Sequence, residues 1–149
     1  MTGYLEFTID KFIFRIADDR FYTNDGLWVK LENSHLRIGV SDYLQQRSGD
    51  VAFAEIKPAG TVLVVGDELA VIETIKVNIS LVSPVEGAVL EINPLIATSP
   101  EVINQDPYET GWLAVIGSKV PEGSLQNLVD PQSYYLKIKK DAEQELETK

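Results

Sequence analysis

Short apolar stretches separated by turn-forming residues run through most of the chain, in the pattern of β-strands that bury one face. Turn residues recur every ~8 to 12 positions, which is the spacing of a sandwich or barrel of short strands and not of a helical bundle. The predicted strands are residues 27–32, 36–40, 51–56, 61–65, 68–72 and 112–116, and a further strand region at 81–92 is interrupted by Pro84 and Gly87. The pattern therefore predicts a mainly β fold.

One short internal helix is expected within this β pattern, over residues 42–47. Ser41 has a side chain that can accept a hydrogen bond from a free backbone amide, as an N-cap does. Asp42 adds negative charge at the positive end of the helix dipole. Gly49 is suited to the left-handed backbone conformation at which many helices end.

Two segments lack a clear β pattern. Residues 1–20 are expected to form an extended N-terminal arm that ends at an acidic turn. Residues 93–111 contain three prolines and are expected to be a surface excursion with one helical turn after Pro100.

The length of 149 residues suits a single domain spanning residues 1–149.

The C-terminal part of the chain, residues 122–149, has a helical pattern. Residues 124–128 are a short helical candidate. Asp130 has the side chain of an N-cap, and the proline after it suits a first helical turn, so a helix is predicted from residue 132 to about residue 147.

Lys76 lies between two strand regions, in a short polar centre that predicts the tip of a hairpin. A lysine held on a rigid turn is suited to covalent modification of its amine. Considered alone, an ordinary solvated lysine is the more common interpretation, because lysine side chains are usually exposed. The rest of the sequence decides between the two.

The composition narrows the possible functions. Acidic residues outnumber basic ones by 23 to 13, for a net charge of −10, which argues against nucleic-acid binding and favours protein partners with basic docking surfaces. The chain has no cysteine, which excludes disulfides, thiolate nucleophiles and cysteine metal sites, so any redox chemistry requires a cofactor. No segment has the length of a membrane helix and the N-terminus lacks the features of a signal peptide, so a cytoplasmic protein is expected.

No catalytic or metal site is predicted. His35 is the single histidine, so neither a histidine metal site nor a proton relay can be completed, and its polar neighbours indicate a surface position. The carboxylates at Asp50, Glu55, Asp67, Glu68 and Glu73 have no spacing that supports an acid and base pair. A solvated acidic face is the interpretation that their pattern favours.

Several motifs together resemble the H protein of the glycine cleavage system, a lipoyl-carrying relative of the biotinyl/lipoyl domains. The similarity covers about residues 22–135. The residues that carry it are Tyr22-Thr23, Trp28-Val29, Gly39-Val40-Ser41-Asp42-Tyr43, Gly49-Asp50-Val51, Glu73-Thr74-Ile75-Lys76, Ser83-Pro84-Val85-Glu86-Gly87, Asn93, Pro100, Val102, Asn104, Pro107-Tyr108 and Gly111-Trp112. The series from Asn93 to Trp112 keeps the order and spacing of the family and is its most specific part.

The resemblance implies a lipoyl-type hybrid barrel-sandwich of two short-stranded antiparallel sheets, with a short internal helix and C-terminal helices. It also implies a non-enzymatic carrier in which Lys76 holds lipoic acid through an amide. Glu73 is then a candidate recognition element for the lipoylating enzyme, although a solvated hairpin charge is an equal alternative. Biotin fits less well because its sites resemble Met-Lys-Met, whereas Lys76 lies between Ile75 and Val77.

Two departures from the family pattern bear on the pathway. Gly26 and Leu27 stand where the family usually has a His and a Glu, and residues 77–80 are bulkier than usual and lack an Asp. These changes favour an H-like lipoate-binding protein of sulfur oxidation, which would serve a heterodisulfide-reductase-like complex. The first alternative is glycine cleavage with glycine decarboxylase, aminomethyltransferase and dihydrolipoamide dehydrogenase, and the second is an unlipoylated adaptor domain. A carrier that enters several active sites is most simply a monomer.

Overall fold

The computed structural model describes residues 2–147. The strands are β1 (Tyr4–Ile9), β2 (Phe12–Ala17), β3 (Phe21–Tyr22), β4 (Leu27–Glu32), β5 (His35–Val40), β6 (Val51–Ile56), β7 (Val62–Leu63), β8 (Glu68–Thr74), β9 (Asn78–Val82), β10 (Gly87–Ile92) and β11 (Ala114–Gly117). The helices are α1 (Asp42–Ser48), α2 (Leu95–Thr98), α3 (Val102–Gln105), α4 (Pro121–Ser124) and α5 (Pro131–Glu147). None of these helices combines the length and the apolar character that a membrane crossing requires.

Two antiparallel sheets form the centre of the molecule. One has six strands in the order β3-β4-β5-β11-β10-β7, and the other has three in the order β6-β8-β9. Apolar side chains from both sheets form one buried cluster, in which Val29, Ile38 and Leu69 are fully enclosed. Alternation along the strands produces this cluster, because every second side chain points to the same face. The predicted mainly β sandwich is confirmed.

The predicted extended arm at residues 1–20 is wrong, because its described part folds back on itself. β1 and β2 form an antiparallel hairpin in which Phe7 pairs with Phe14, and the turn contains Asp10 at a φ of 55°. Phe7, Phe14 and Ile16 are buried there against α5 and α1. A single extended arm would leave these side chains in water, and their burial favours the hairpin.

Side chains of α1 bind the outer edge of β2. The backbone amide of Arg15 donates to the Asp42 carboxylate at 2.9 Å, and the Gln46 side chain donates to the carbonyl of Ile13 at 2.8 Å. These contacts satisfy backbone groups that a neighbouring strand would otherwise pair. The hairpin is thereby joined to the helix that leads to Gly49.

The helix predictions are confirmed at α1 and α5. The Ser41 side chain accepts from the amide of Leu44 at 3.2 Å, as an N-cap does, and Asp130 accepts from the amide of Ser133 at 2.8 Å. Gly49 ends α1 at a φ of 91°, although its ψ of −175° lies outside the left-handed helical region. The candidate at 124–128 is wrong in position, since α4 begins three residues earlier, where Pro121 occupies its first turn. Residue 1 of the predicted arm and residues 148 and 149 of the predicted C-terminal segment lie outside the described residues.

Residues 93–111 were predicted as a surface excursion, and this is wrong in burial. The helical turn after Pro100 is present as α3, but Ile96, Val102 and Ile103 also enter the main core. Burial is possible because the Asn93 amide donates to the carbonyls of Thr110 and Trp112 at 2.7 and 2.8 Å. Its oxygen accepts from the Leu95 amide, so the backbone keeps its hydrogen bonds inside the protein.

A close contact between strands β4 and β5 positions the buried Trp28 side chain. Gly39 lies directly opposite Trp28, whose indole is completely buried and lies over the glycine backbone. The indole N–H donates to the carbonyl of Pro107 at 3.0 Å, and the Arg20 guanidinium lies 4.6 Å from the ring centroid. Trp28 therefore links the sheet to the segment that precedes β11.

Asp19 and the buried Arg20 form an ionic cluster beside this indole. Arg20 Nε donates to the Asp19 carboxylate at 2.7 Å, the Thr2 hydroxyl donates at 2.8 Å, and Lys30 Nζ lies 3.4 Å away. Partial burial opposes ionisation, but the bonds from Arg20 and Thr2 and the two positive charges outweigh it and lower the pKa of Asp19 to about 2. The folded state therefore favours the ionised form of Asp19.

We expect this cluster to lose stability in acid. A pKa that is lower in the folded state than in the unfolded chain contributes stability above the unfolded value of about 3.9, and the contribution disappears as pH falls through the folded value. Urea unfolding should therefore show a fall in stability between about pH 4 and about pH 2 that is smaller in Asp19→Asn. Asp25→Asn, at an exposed position, is the control for removing one charge. Equal acid slopes in the wild type and Asp19→Asn would contradict the assignment.

Candidate functional site

Lys76 lies at the tip of the hairpin formed by β8 and β9. The register pairs Ile72 with Ile79 and Glu73 with Asn78, so residues 75–77 form the connection between the strands. Lys76 is exposed, as its position in the sequence predicts. The inward-facing Ile72 anchors the hairpin in the core, where it is only 3% exposed.

The Thr74 hydroxyl organises this tip. It accepts hydrogen bonds from the backbone amides of Lys76 at 3.2 Å and Val77 at 3.0 Å, and it donates to the carbonyl of Val77 at 3.0 Å. The amide of Thr74 also donates to that carbonyl, at 2.8 Å. These bonds fix the backbone on both sides of the lysine. Sequence reasoning missed Thr74, although a threonine next to a turn is a recognised signal for such local bonds.

The tip rests on the end of α1 and the start of β6. The amide of Ile75 donates to the carbonyl of Asp50 at 3.2 Å. The aliphatic stem of Lys76 passes over Gly49, where a Cβ would lie 3.4 Å from Cδ of the lysine. Residues 49 and 50 therefore support the Lys76 turn in addition to its own hairpin.

Asn104 of α3 holds the segment beneath the tip. Its side-chain oxygen accepts from the amide of Val51 at 2.8 Å, and its NH₂ donates to the carbonyl of Gly49 and to the side chain of Gln45, both at 3.0 Å. The sequence carries no local signal for this contact, because the partners lie more than 50 residues apart along the chain.

The amine of Lys76 has no carboxylate within ion-pair distance in the described part of the chain. Its neighbours are apolar, with Ile75 75% exposed and Val77 48% exposed. Glu73 is exposed and lies between Phe53 and Asn78 in the strand register, so it is accessible to a partner enzyme. An unpaired, accessible primary amine on a braced turn is suited to acylation. The recognition role of Glu73 stays a prediction.

The histidine and the carboxylates that the sequence analysis singled out besides Glu73 are all exposed. His35 is exposed, as predicted, and residues 2–147 contain no cluster of three or more potential metal ligands. Glu68 accepts from the Ser80 hydroxyl at 2.6 Å and pairs with Lys57 at 3.7 Å on the exposed face of the three-stranded sheet. These contacts are those of a solvated surface.

The departures at Gly26 and Leu27 have a structural explanation. Gly26 is buried at a φ of 98°, and a Cβ there would lie 2.9 Å from Cβ of Leu44. Leu27 is 1% exposed and belongs to the main core. The backbone therefore requires glycine at the first position, and the second contributes apolar packing in place of a titratable group.

Comparison with known proteins gives a consistent result. The family model described as glycine cleavage H-protein matches residues 20–141. Glycine cleavage system H protein 4 of Aquifex aeolicus is 37% identical over 136 residues, which cover 89% of this chain and 79% of that protein. The probable glycine cleavage system H protein of Pyrococcus furiosus is 39% identical over 127 residues, which cover 83% of this chain and 94% of that protein.

A solved structure shows the same fold. The crystal structure of a glycine cleavage system H protein from Mycobacterium marinum matches with a TM-score of 0.71, covering 78% of this chain and 94% of that one. Its sequence identity is 24%, so this match concerns the fold alone. The hairpin of β1 and β2 precedes the residues that the family model matches.

Proposed function

Because this chain belongs to the glycine cleavage H-protein family, we propose that it is the lipoyl carrier of a glycine cleavage system and that Lys76 is its attachment site. Proteins of this family are non-catalytic carriers that hold lipoate covalently on a lysine. The observation that carries the assignment to Lys76 is its accessible, unpaired amine on a tip braced by Thr74 and Asp50.

The residues present fit a lipoyl group. Attachment forms an amide between the lipoate carboxyl and Nζ of Lys76, and the activating group leaves the carboxyl carbon. The ammonium charge is lost, and the exposed Ile75 and Val77 leave the root of the arm free of a competing ion pair. Bound lipoate supplies a dithiolane that exchanges by thiol and disulfide chemistry. A chain without cysteine cannot form stray mixed disulfides with it.

The proposed pathway differs from the one that the sequence alone favoured. The preference for a heterodisulfide-reductase-like complex of sulfur oxidation rested on Gly26, Leu27 and residues 77–80. The comparisons give that option no support, whereas the family model and the relatives are described as glycine cleavage H proteins. Packing against Leu44 and in the core accounts for Gly26 and Leu27 without a change of partner. Glycine cleavage is therefore the proposed pathway.

The proposed partners follow from that pathway. They are a lipoylating enzyme, glycine decarboxylase, aminomethyltransferase and dihydrolipoamide dehydrogenase. Because this chain has a net charge of −10, we expect the docking surfaces of these enzymes to be basic. Salt should therefore weaken docking, because screening reduces attraction between exposed charges.

The proposal is tested by reconstitution. The protein is lipoylated by a lipoylating enzyme, its intact mass is measured, and it is then added to glycine decarboxylase, aminomethyltransferase and dihydrolipoamide dehydrogenase with glycine. We expect an increment of one lipoyl group, and glycine cleavage that depends on the lipoylated form. A lipoylated protein that supports no glycine cleavage would overturn the pathway assignment, and a protein that gains no lipoyl mass would overturn the carrier assignment.

A further inference from the structure

We propose that Asn104 is a positioning residue for lipoylation, which holds the segment on which the Lys76 tip rests; this inference depends on the proposed role of Lys76. Asn104 lies in α3, and its side-chain hydrogen bonds go to Val51, Gly49 and Gln45 and not to the lysine. It acts through residues 49–51, which are the two residues that join α1 to β6 and the first residue of β6.

The Asn104 carboxamide uses both of its ends on this segment. The oxygen accepts from the Val51 amide at 2.8 Å, and the NH₂ group donates to the Gly49 carbonyl at 3.0 Å. The second hydrogen of the NH₂ group is directed to Gln45 Oε1, also at 3.0 Å. One side chain therefore fixes both sides of Asp50 and ties them to the last turns of α1.

The same segment makes the contacts that support the tip. The carbonyl of Asp50 accepts from the amide of Ile75, Val51 pairs with Thr74 in the strand register, and Gly49 lies under the Lys76 stem. Each residue from 49 to 51 thus contacts one residue of the tip or its root. Displacement of the segment would remove the acceptor of the Ile75 amide and the contact under the Lys76 stem, neither of which the Thr74 hydroxyl replaces.

The arrangement requires an amide at position 104. Aspartate has nearly the same shape and keeps the acceptor for Val51, but it has no donor and would place a carboxylate against the Gly49 carbonyl. The segment would then populate other positions, and the lipoylating enzyme would meet the supported tip in only a fraction of molecules. The apparent affinity of the lipoylating enzyme for the carrier then falls in proportion to that fraction. The rate of lipoylation in the bound complex is unchanged.

Asn93 provides a matched control in the same part of the chain. It is 3% exposed and also makes three hydrogen bonds through its carboxamide, to the backbones of Thr110, Trp112 and Leu95. None of these partners belongs to the hairpin or to residues 49–51. Asn93→Asp therefore makes the same chemical change elsewhere in the 93–111 segment, and the hydrogen bonds that it breaks involve neither α3 nor residues 49–51.

The test compares the wild type, Asn104→Asp and Asn93→Asp in lipoylation kinetics and in hydrogen exchange of the Ile75 amide, well below the unfolding temperature of each. For Asn104→Asp we expect the KM for the carrier to rise about tenfold with kcat within about twofold, and Ile75 exchange to quicken about tenfold, as for one lost buried hydrogen bond. Asn93→Asp should lower the melting temperature and leave both measurements near the wild-type values. Asn104→Ser, which keeps a small polar side chain, replaces Asn104→Asp in the comparison if the aspartate variant does not fold.

The proposal would be overturned if the Asn104 variants kept the wild-type KM and the wild-type exchange rate of the Ile75 amide. It would also be overturned if Asn93→Asp changed both quantities as much as Asn104→Asp does. A failure of the proposed function gives a different result. In that case the wild type itself gains no lipoyl group on Lys76, which removes the role in lipoylation, while faster Ile75 exchange in Asn104→Asp alone would still show that Asn104 supports the tip.

Discussion

Arginine in place of Lys76 is expected to abolish lipoylation and glycine cleavage while leaving the fold intact. Amide formation requires a primary amine that can lose its proton, and a guanidinium remains protonated at every accessible pH. Arginine keeps the positive charge and a similar aliphatic stem, so contact with Gly49 is preserved. Lys76→Arg should therefore gain no lipoyl mass and support no glycine cleavage above background, with unfolding by urea unchanged within about 0.5 kcal/mol.

Lys57→Arg is the matched control for this variant. Lys57 is also exposed, follows β6 on the same three-stranded sheet and pairs with Glu68 at 3.7 Å. The Lys57→Arg variant should gain a lipoyl group as the wild type does, because Lys57 does not lie at the tip of a hairpin. A lipoyl increment that survives Lys76→Arg, located by peptide mapping, would place the attachment site elsewhere and disprove the role of Lys76.

Alanine in place of Gly39 is expected to give the largest loss of stability. Its Cβ would fall inside van der Waals distance of Trp28 Cε2 and Cζ2, and 2.7 Å from Nε1. The indole cannot move away, because it is fully buried, bonded to the Pro107 carbonyl and covered by Arg20. We expect a loss of about 3 kcal/mol in the free energy of unfolding, at the upper end for overpacking of a core, and a melting temperature about 10 °C lower.

The measurement is urea unfolding followed by far-ultraviolet circular dichroism. Gly123→Ala is the control, because a Cβ in α4 would meet Val120 at an ordinary 3.6 Å and alanine favours a helix. It should leave stability unchanged or slightly raised. If Gly39→Ala unfolds at the same urea concentration as the wild type, the contact between Trp28 and Gly39 is not the rigid one described above.

The elements that sequence predicted well are those whose signals are local. The β8 and β9 hairpin, the N-cap at Ser41 and the start of α5 after Asp130 depend on residues within a few positions of one another. Alternation of apolar residues and capping side chains act over that range, so the chain itself carries the information. The N-terminal arm failed because the same alternation fits one extended strand or two paired strands. Only burial of Phe7 and Phe14 against distant helices decides between them.

Burial of residues 93–111 was not predictable for a related reason. Prolines and polar residues indicate a surface loop, but the Asn93 side chain supplies hydrogen bonds to residues 17 and 19 positions away, and Ile103 can then enter the core. Whether a polar side chain is solvated or satisfies buried backbone depends on what the fold places beside it.

At the proposed attachment site, the sequence by itself determined the chemistry: a lone lysine on a turn between two strands, no cysteine and no second histidine. Tertiary structure alone decided what supports that lysine. Gly49 and Asp50 lie more than 20 residues before it, and Asn104 lies 28 residues after it. Hydrogen-bond geometry over such separations exists only once the sheets and α3 have packed, because loop closure and burial of the core bring these groups together.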